Sequence, residues 1–222
     1  MTRKPSSGSS DRPLPWLIAA ILLLAAGTML GIAAAGPGIV PGDVAFAKAV
    51  QQPSSAPLDT AAWTMSRIGD AFPAMVLLTL AIVVFLICRR RIDLALFVGM
   101  AAVLRLVGPL LKSLAQSARP PVTAISTLER VDTFGYPSGH AFGAALLYGA
   151  IAVIAPELTS NRAAARAIQI AAAMMIVLMA LARVRLGVHW PSDVAGGICL
   201  GLGLVCLLRA AALFLRQRPV RV

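Results

Sequence analysis

Six apolar runs, each close to the length needed to cross a bilayer, constrain this chain more than any other feature. They fall at 14–35, 71–88, 94–111, 140–155, 163–184 and 193–215, and a crossing helix needs roughly 17–25 such residues. Spanning strands would alternate polar and apolar residues, whereas these runs are apolar on every face. The expectation is an all-α, polytopic membrane protein with six transmembrane helices. A 222-residue chain that is 59% hydrophobic, with mean hydropathy +0.83, holds one membrane domain over 14–215, between a disordered tail at 1–13 and a basic tail at 216–222. The fourth run is the shortest, so its start is expected in the headgroup zone.

The net charge of +11 raises nucleic acid as a partner, but the placement of the charges points to the membrane. Arg3, Lys4 and Arg12 precede the first run. Arg89, Arg90 and Arg91 separate the second from the third, Arg162 and Arg166 the fourth from the fifth, and Arg209, Arg216, Arg218 and Arg221 close the chain. All four clusters share one side of a six-span chain, which the positive-inside rule makes cytoplasmic. Both termini are then cytoplasmic in a multi-pass protein of the inner (plasma) membrane. The first run also has the basic start and small residues, Ala33 to Ala35, of a secretory signal, but its length favours a retained span.

Between the first two runs, 36–70 is punctuated by Gly36-Pro37-Gly38, Pro41-Gly42 and Pro53-Ser54-Ser55. Leu58, Ala61, Ala62, Met65 and Ile68 keep helical spacing there, which reads as a short amphipathic helix on the membrane surface, anchored by Trp63. The segment is either a lid or a spacer. Cys88, Cys199 and Cys206 fall in or beside spans and imply no disulfide framework. Gly197 with Gly201, and Gly139 with Gly143, have the spacing of close helix packing. Arg105, inside the third run, needs a buried partner such as Asp70, Asp93 or a site group.

The only two histidines sit in polar clusters on the side opposite the arginine clusters. Lys112 and Arg119 lie in KSLAQSARP, His140 ends PSGH at 137–140, and Arg183, His189 and Asp193 lie in RVRLGVHWPSD. A transferring phosphoryl group spreads negative charge over three oxygens and needs fixed cations and donors around it. Lys112, Arg119 and Arg183 supply cations; Ser138 and the amide of Gly139, at a helix start, supply donors. His189 and Asp193, four apart, fit an imidazole and the carboxylate that orients it, although Asp193 also fits a plain helix-start charge. The residues alone leave the roles of the two histidines exchangeable.

These motifs resemble the type 2 phosphatidic acid phosphatase superfamily, whose pattern is KxxxxxxRP, then PSGH, then SRxxxxxHxxxD. The resemblance covers Lys112 to Asp193 and departs at one position, where Ala182 replaces the serine before the arginine. Loss of one neutral hydrogen bond there costs on the order of 1 kcal/mol. The resemblance implies that His189 attacks phosphorus, that His140 protonates the leaving oxygen and later activates water, and that Asp193 orients His189. It further implies hydrolysis of a lipid phosphate on the periplasmic or extracellular face.

Metal and cofactor are expected to be absent, because two histidines and one aspartate among three cations make a poor zinc site. Undecaprenyl diphosphate, phosphatidylglycerol phosphate, phosphatidate and lipid A phosphates are the substrates the resemblance brings. A prenyl diphosphate leads, since Arg130 and Arg185 add outer cations; both also fit solvated loop charges. Two other functions fit the chain: a lipid-to-lipid phosphotransferase using the same site, and a non-catalytic protein that binds anionic lipid. Vanadium haloperoxidases share the motifs but are soluble, unlike a six-span chain.

Overall fold

The structure, a computed structural model, describes residues 12–36, 39–52, 54–69, 74–129 and 131–217. Arg3, Lys4, Asp70, Arg130, Arg218 and Arg221, with the rest of the 1–11 tail and 218–222, lie outside the described residues. Among the described residues there are nine α-helices and no strand: α1 Pro13–Ala34, α2 Asp43–Gln51, α3 Ala56–Gly69, α4 Val76–Cys88, α5 Ile92–Val103, α6 Val107–Ala115, α7 Gly139–Leu158, α8 Arg162–Arg185 and α9 Pro191–Gln217. A 3-10 turn, Leu104–Leu106, joins α5 to α6, so Ile92–Ala115 runs as one rod.

Among the described residues, five helices are long and apolar enough to cross a membrane: α1, the α5–α6 rod, α7, α8 and α9. The remaining run, the second at 71–88, appears as α4, with 13 residues; 71–73 lie outside the described residues. The fourth run is therefore not the shortest element. Its helix, α7, has 20 residues because Ser138 caps it two positions before the apolar stretch becomes continuous and Pro156 is carried inside its last turn. Pro156 has no N–H to give the carbonyl of Ala152. Gln169 of α8 fills that place, donating from Nε2 to Ala152 O at 3.2 Å.

The core centres on α7. Phe142, Leu146, Leu147 and Ile154 meet Leu94, Val98 and Ala101 of α5 and Leu200 and Val205 of α9 in one buried cluster. Small residues set how closely these helices approach. A Cβ on Gly197 would lie 2.9 Å from Ser138 O, and one on Gly201 would lie 2.6 Å from the Ala145 methyl, so α9 lies against the backbone of α7. Of the other glycine pair, Gly143 packs under the Arg105 guanidinium, while a Cβ on Gly139 would meet nothing within 4 Å. Tyr136 threads between α1 and α9, its ring against Gly31 and Gly196 and its hydroxyl donating to Gly27 O.

This antiparallel arrangement separates the two ends of the bundle. At one end α6 and α8 finish and α7 and α9 begin, joined by the loops 116–138 and 186–190. Arg91, Arg162, Arg166, Arg209 and Arg216 belong to the opposite end. The segment after α1 differs from the single surface helix expected of it. It forms two helices, and α3 packs on α8 through Ala62, Met65, Ser66 and Gly69, leaving Leu58 and Ile68 exposed. Small side chains won that contact because they let α3 approach α8 closely. α2 docks by its first residue: Asp43 accepts from Ser192 N at 2.9 Å and Ser192 Oγ at 2.6 Å, tying it to the start of α9.

Candidate active site

The three motifs meet at the end where α7 and α9 begin. His189 lies in the loop before α9 and is 2% exposed. Its Nδ1 is 3.3 Å from Asp193 Oδ2, and its Nε2 is 3.3 Å from Nη1 of Arg119. A guanidinium nitrogen only donates, so Nε2 presents its lone pair to Arg119 and the ring proton sits on Nδ1, pointed at the carboxylate. That tautomer follows from the hydrogen-bond network. Burial, reinforced by the charges of Arg119, Arg183 and Lys112 and by His140, holds the His189 pKa well below 6.5.

Asp193 is fully buried and serves two groups at once. Its Oδ2 also accepts from Trp190 N at 3.0 Å, reaching back from the third residue of α9 to the residue that caps the helix. One oxygen thus meets both the helix start and the imidazole. Oδ1 has no hydrogen-bond partner among the described residues. Asp193 O accepts from Ser138 N at 3.0 Å, which locks the start of α9 to the start of α7.

The cations are held by backbone oxygens. Lys112, in the last turn of α6, donates to Phe134 O at 2.6 Å and Gly135 O at 3.2 Å. Arg119 donates from Nε to Thr133 O at 2.6 Å, from Nη2 to Thr133 Oγ1 at 2.9 Å, and from Nη1 to Val188 O. Burial and the neighbouring Arg183 lower its pKa to about 10, so it stays a cation at neutral pH. A cleft of about 610 Å³ opens beside these two, lined also by Ser113, Ser117, Asp132 and Thr133. Arg119 lines the cleft and also touches Nε2 of His189.

Arg183, 2% exposed at the end of α8, donates from Nη1 to Ser66 Oγ and to Glu129 Oε2 at 3.1 Å. Ser66 and Glu129 were not legible as site residues, because neither belongs to a motif. The hydroxyl near Arg183 comes from α3, while Ala182 is buried with Ala62, Leu186 and Val188 in an apolar cluster. His140 stands in the first turn of α7, half-buried against Gly69, where an added Cβ would lie 2.7 Å from His140 Cδ2. Ser138 is fully buried and caps α7, its Oγ accepting from Ala141 N at 3.5 Å. A Cβ at Gly139 would meet nothing within 4 Å, so the backbone there borders open space.

Arg185 is a correction. Its guanidinium pairs with Asp59 at 2.8 Å and donates to Val50 O at 2.9 Å, clamping α2 and α3 to α8. Neighbouring residues of one helix face different sides, so its closeness to Arg183 in sequence did not carry into space. Arg105 donates to Gly69 O at 3.3 Å; Asp93 pairs with Arg91 and Arg216 at the far end, which removes it as the partner. No cluster of three histidine, cysteine, aspartate or glutamate side chains that could hold a metal occurs among the described residues.

A model of the PAP2 superfamily matches residues 92–217. Phosphatidylglycerophosphatase B of Bacillus subtilis (strain 168) is 35% identical over 109 residues, 47% of this chain and 51% of that protein, so the match spans about half the relative's length. Decaprenylphosphoryl-5-phosphoribose phosphatase of Mycobacterium tuberculosis (strain ATCC 25618 / H37Rv) is 33% identical over 140 residues, covering 62% of this chain and 71% of that one. The crystal structure of a transmembrane PAP2 type phosphatidylglycerolphosphate phosphatase from Bacillus subtilis shares the fold, with TM-score 0.67 and 24% identity over 95% of this chain and 99% of that one.

Proposed function

The chain belongs to the PAP2 superfamily, and from that premise we propose that it is a six-span membrane phosphatase that hydrolyses a lipid phosphate through a phosphohistidine on His189. The observation that carries the reading is the imidazole held between Asp193 Oδ2 and the Arg119 guanidinium, neutral and with its Nε2 lone pair toward the cations. A buried cationic pocket that keeps a histidine unprotonated suits attack on phosphorus better than it suits anion storage.

Nε2 of His189 forms the new bond to phosphorus, and the bond from phosphorus to the lipid oxygen breaks. His140 gives that oxygen its proton. Lys112, Arg119 and Arg183 hold the three equatorial oxygens, with the Gly139 amide and the Ser138 hydroxyl as further donors. Asp193 stabilises the positive charge that develops on the ring of His189. Water then gives a proton to His140, its oxygen attacks phosphorus, the P–N bond breaks, and inorganic phosphate leaves with His189 neutral again. None of these steps calls on a metal, so full activity is expected in excess chelator.

Lipid is the proposed carrier because the site lies where the crossing helices begin, within reach of a headgroup. The positive-inside distribution supports the periplasmic or extracellular face for that end. The two named relatives act, by their names, on phosphatidylglycerophosphate and on decaprenylphosphoryl-5-phosphoribose. The case for a diphosphate loses Arg185, which is committed to Asp59. The test is inorganic phosphate released by purified protein from phosphatidylglycerol phosphate, phosphatidate, a prenyl diphosphate and a prenyl-linked phosphoribose. At least one should be hydrolysed, with His189→Ala below about 10⁻³ of that rate and still folded. A His189→Ala protein with undiminished release would overturn the reading, and transfer to lipid without free phosphate would make it a phosphotransferase.

A further inference from the structure

The end of the bundle opposite the histidines holds more positive charge than its carboxylates balance. Arg91, Arg209 and Arg216 gather around Glu157 and Asp93, three cations against two anions. Glu157 is shared by all three: Oε1 lies 2.7 Å from Arg209 Nη1, and Oε2 lies 3.5 Å from Arg216 Nη1 and 3.9 Å from Arg91 Nη2. Asp93 is divided between Arg216 at 2.8 Å and Arg91 at 3.8 Å. Arg209 bears the largest cost. It is 8% exposed, and its buried Nε finds no acceptor among the described residues. A buried guanidinium with a part share of one carboxylate is under-compensated, and a further anion nearby relieves it.

A cavity of about 630 Å³ opens beside this cluster. Arg209, Arg216 and Glu157 line it together with Trp16, Ala152 and Val153. Its wall is apolar at Ala152 and Val153 of α7, and its rim sets two guanidiniums of α9 against the single Glu157 carboxylate, a net positive charge. Trp16 belongs to the first turn of α1, and α7 ends at Leu158, so the cavity sits where the crossing helices leave the bilayer. An apolar wall below a cationic rim at that depth fits an amphiphile better than a free ion. We infer that this cavity binds an anionic phospholipid, its phosphate against Arg209 and Arg216 and the first methylenes of its chain against Ala152 and Val153. The site is remote from His189 and stands whether or not the proposed hydrolysis does.

The test uses the full chain in neutral detergent micelles, with thermal unfolding followed as phosphatidylglycerol, phosphatidylcholine or inorganic phosphate is added. Phosphatidylglycerol should raise Tm by several degrees, and the other two should not, because a ligand that binds only the folded state stabilises it. Arg216→Gln changes an exposed rim residue and Val153→Phe fills the cavity without touching an ion pair. Each should cut the shift by half or more while leaving the lipid-free Tm close to wild type. Arg119→Ala, which alters only the histidine end, should keep the full shift. No shift, equal shifts with both lipids, a full response to inorganic phosphate alone, full shifts in both cavity variants, or loss of the shift in Arg119→Ala would each overturn the inference.

Discussion

The proposed chemistry turns on Asp193, whose Oδ2 faces Nδ1 of His189. Asp193→Asn still fills the space but offers the ring no charge, and its amide can face Nδ1 with a donor. Activity should fall by roughly 10²- to 10⁴-fold with the fold intact, read as kcat with little change in KM. The pH response follows from the same surroundings. The His189 pKa is depressed in the folded protein, so between that value and about 6.5 the unfolded chain binds more protons. Stability should therefore rise with pH through that window and be independent of this group above it. An NMR titration of His189 should show a neutral ring at pH 6, and Arg119→Ala should move its pKa upward; a ring that titrates near 6.5 in the wild type would contradict the burial argument. Lys112, Arg119 and Arg183 were legible as one cationic group because motif spacing survives any packing. Ser66 and Glu129 escaped, since a serine and a glutamate on surface segments carry no signal until α3 and the 116–138 loop are folded against Arg183.

Among elements, α7 and α9 matter most, because their starts carry His140 and Asp193 and are joined through Ser138 N and Asp193 O. Tyr136 is the wedge that sets their relation to α1. Gly196→Leu puts a side chain where the Tyr136 ring lies. We expect a loss of about 1–3 kcal/mol from overpacking, seen as a lower Tm, and a fall in activity, since Tyr136 stands two residues before Ser138. Gln169→Leu leaves the Ala152 carbonyl without its side-chain donor and should cost about 1 kcal/mol with activity unchanged. Helix positions were legible to within a few residues wherever the apolar run was long. The pair α2 and α3 was not, because α3 packs through alanine, serine and glycine, residues that a hydrophobic pattern does not mark.

On the scale of the whole molecule, the chain sorts its charge by end. One end gathers Lys112, Arg119 and Arg183 around the histidines, and the other gathers Arg91, Arg209 and Arg216 around two carboxylates. Charge counting along the sequence found this division before any packing was known, since each crossing reverses direction. The orientation it implies is testable in a cysteine-free background. Asp132→Cys should react with an impermeant maleimide on intact cells, and Ser160→Cys only after the membrane is opened; the reverse pattern would place the site in the cytoplasm. The central claim concerns one bond, from phosphorus to Nε2 of His189. His140→Ala given p-nitrophenyl phosphate, whose leaving group needs no proton, should stall after the first step. Mass spectrometry of the quenched protein should then find an acid-labile phosphoryl group on His189, with Nε2 identified by ³¹P NMR. Phosphate on another residue, or turnover by His189→Ala, would contradict the account.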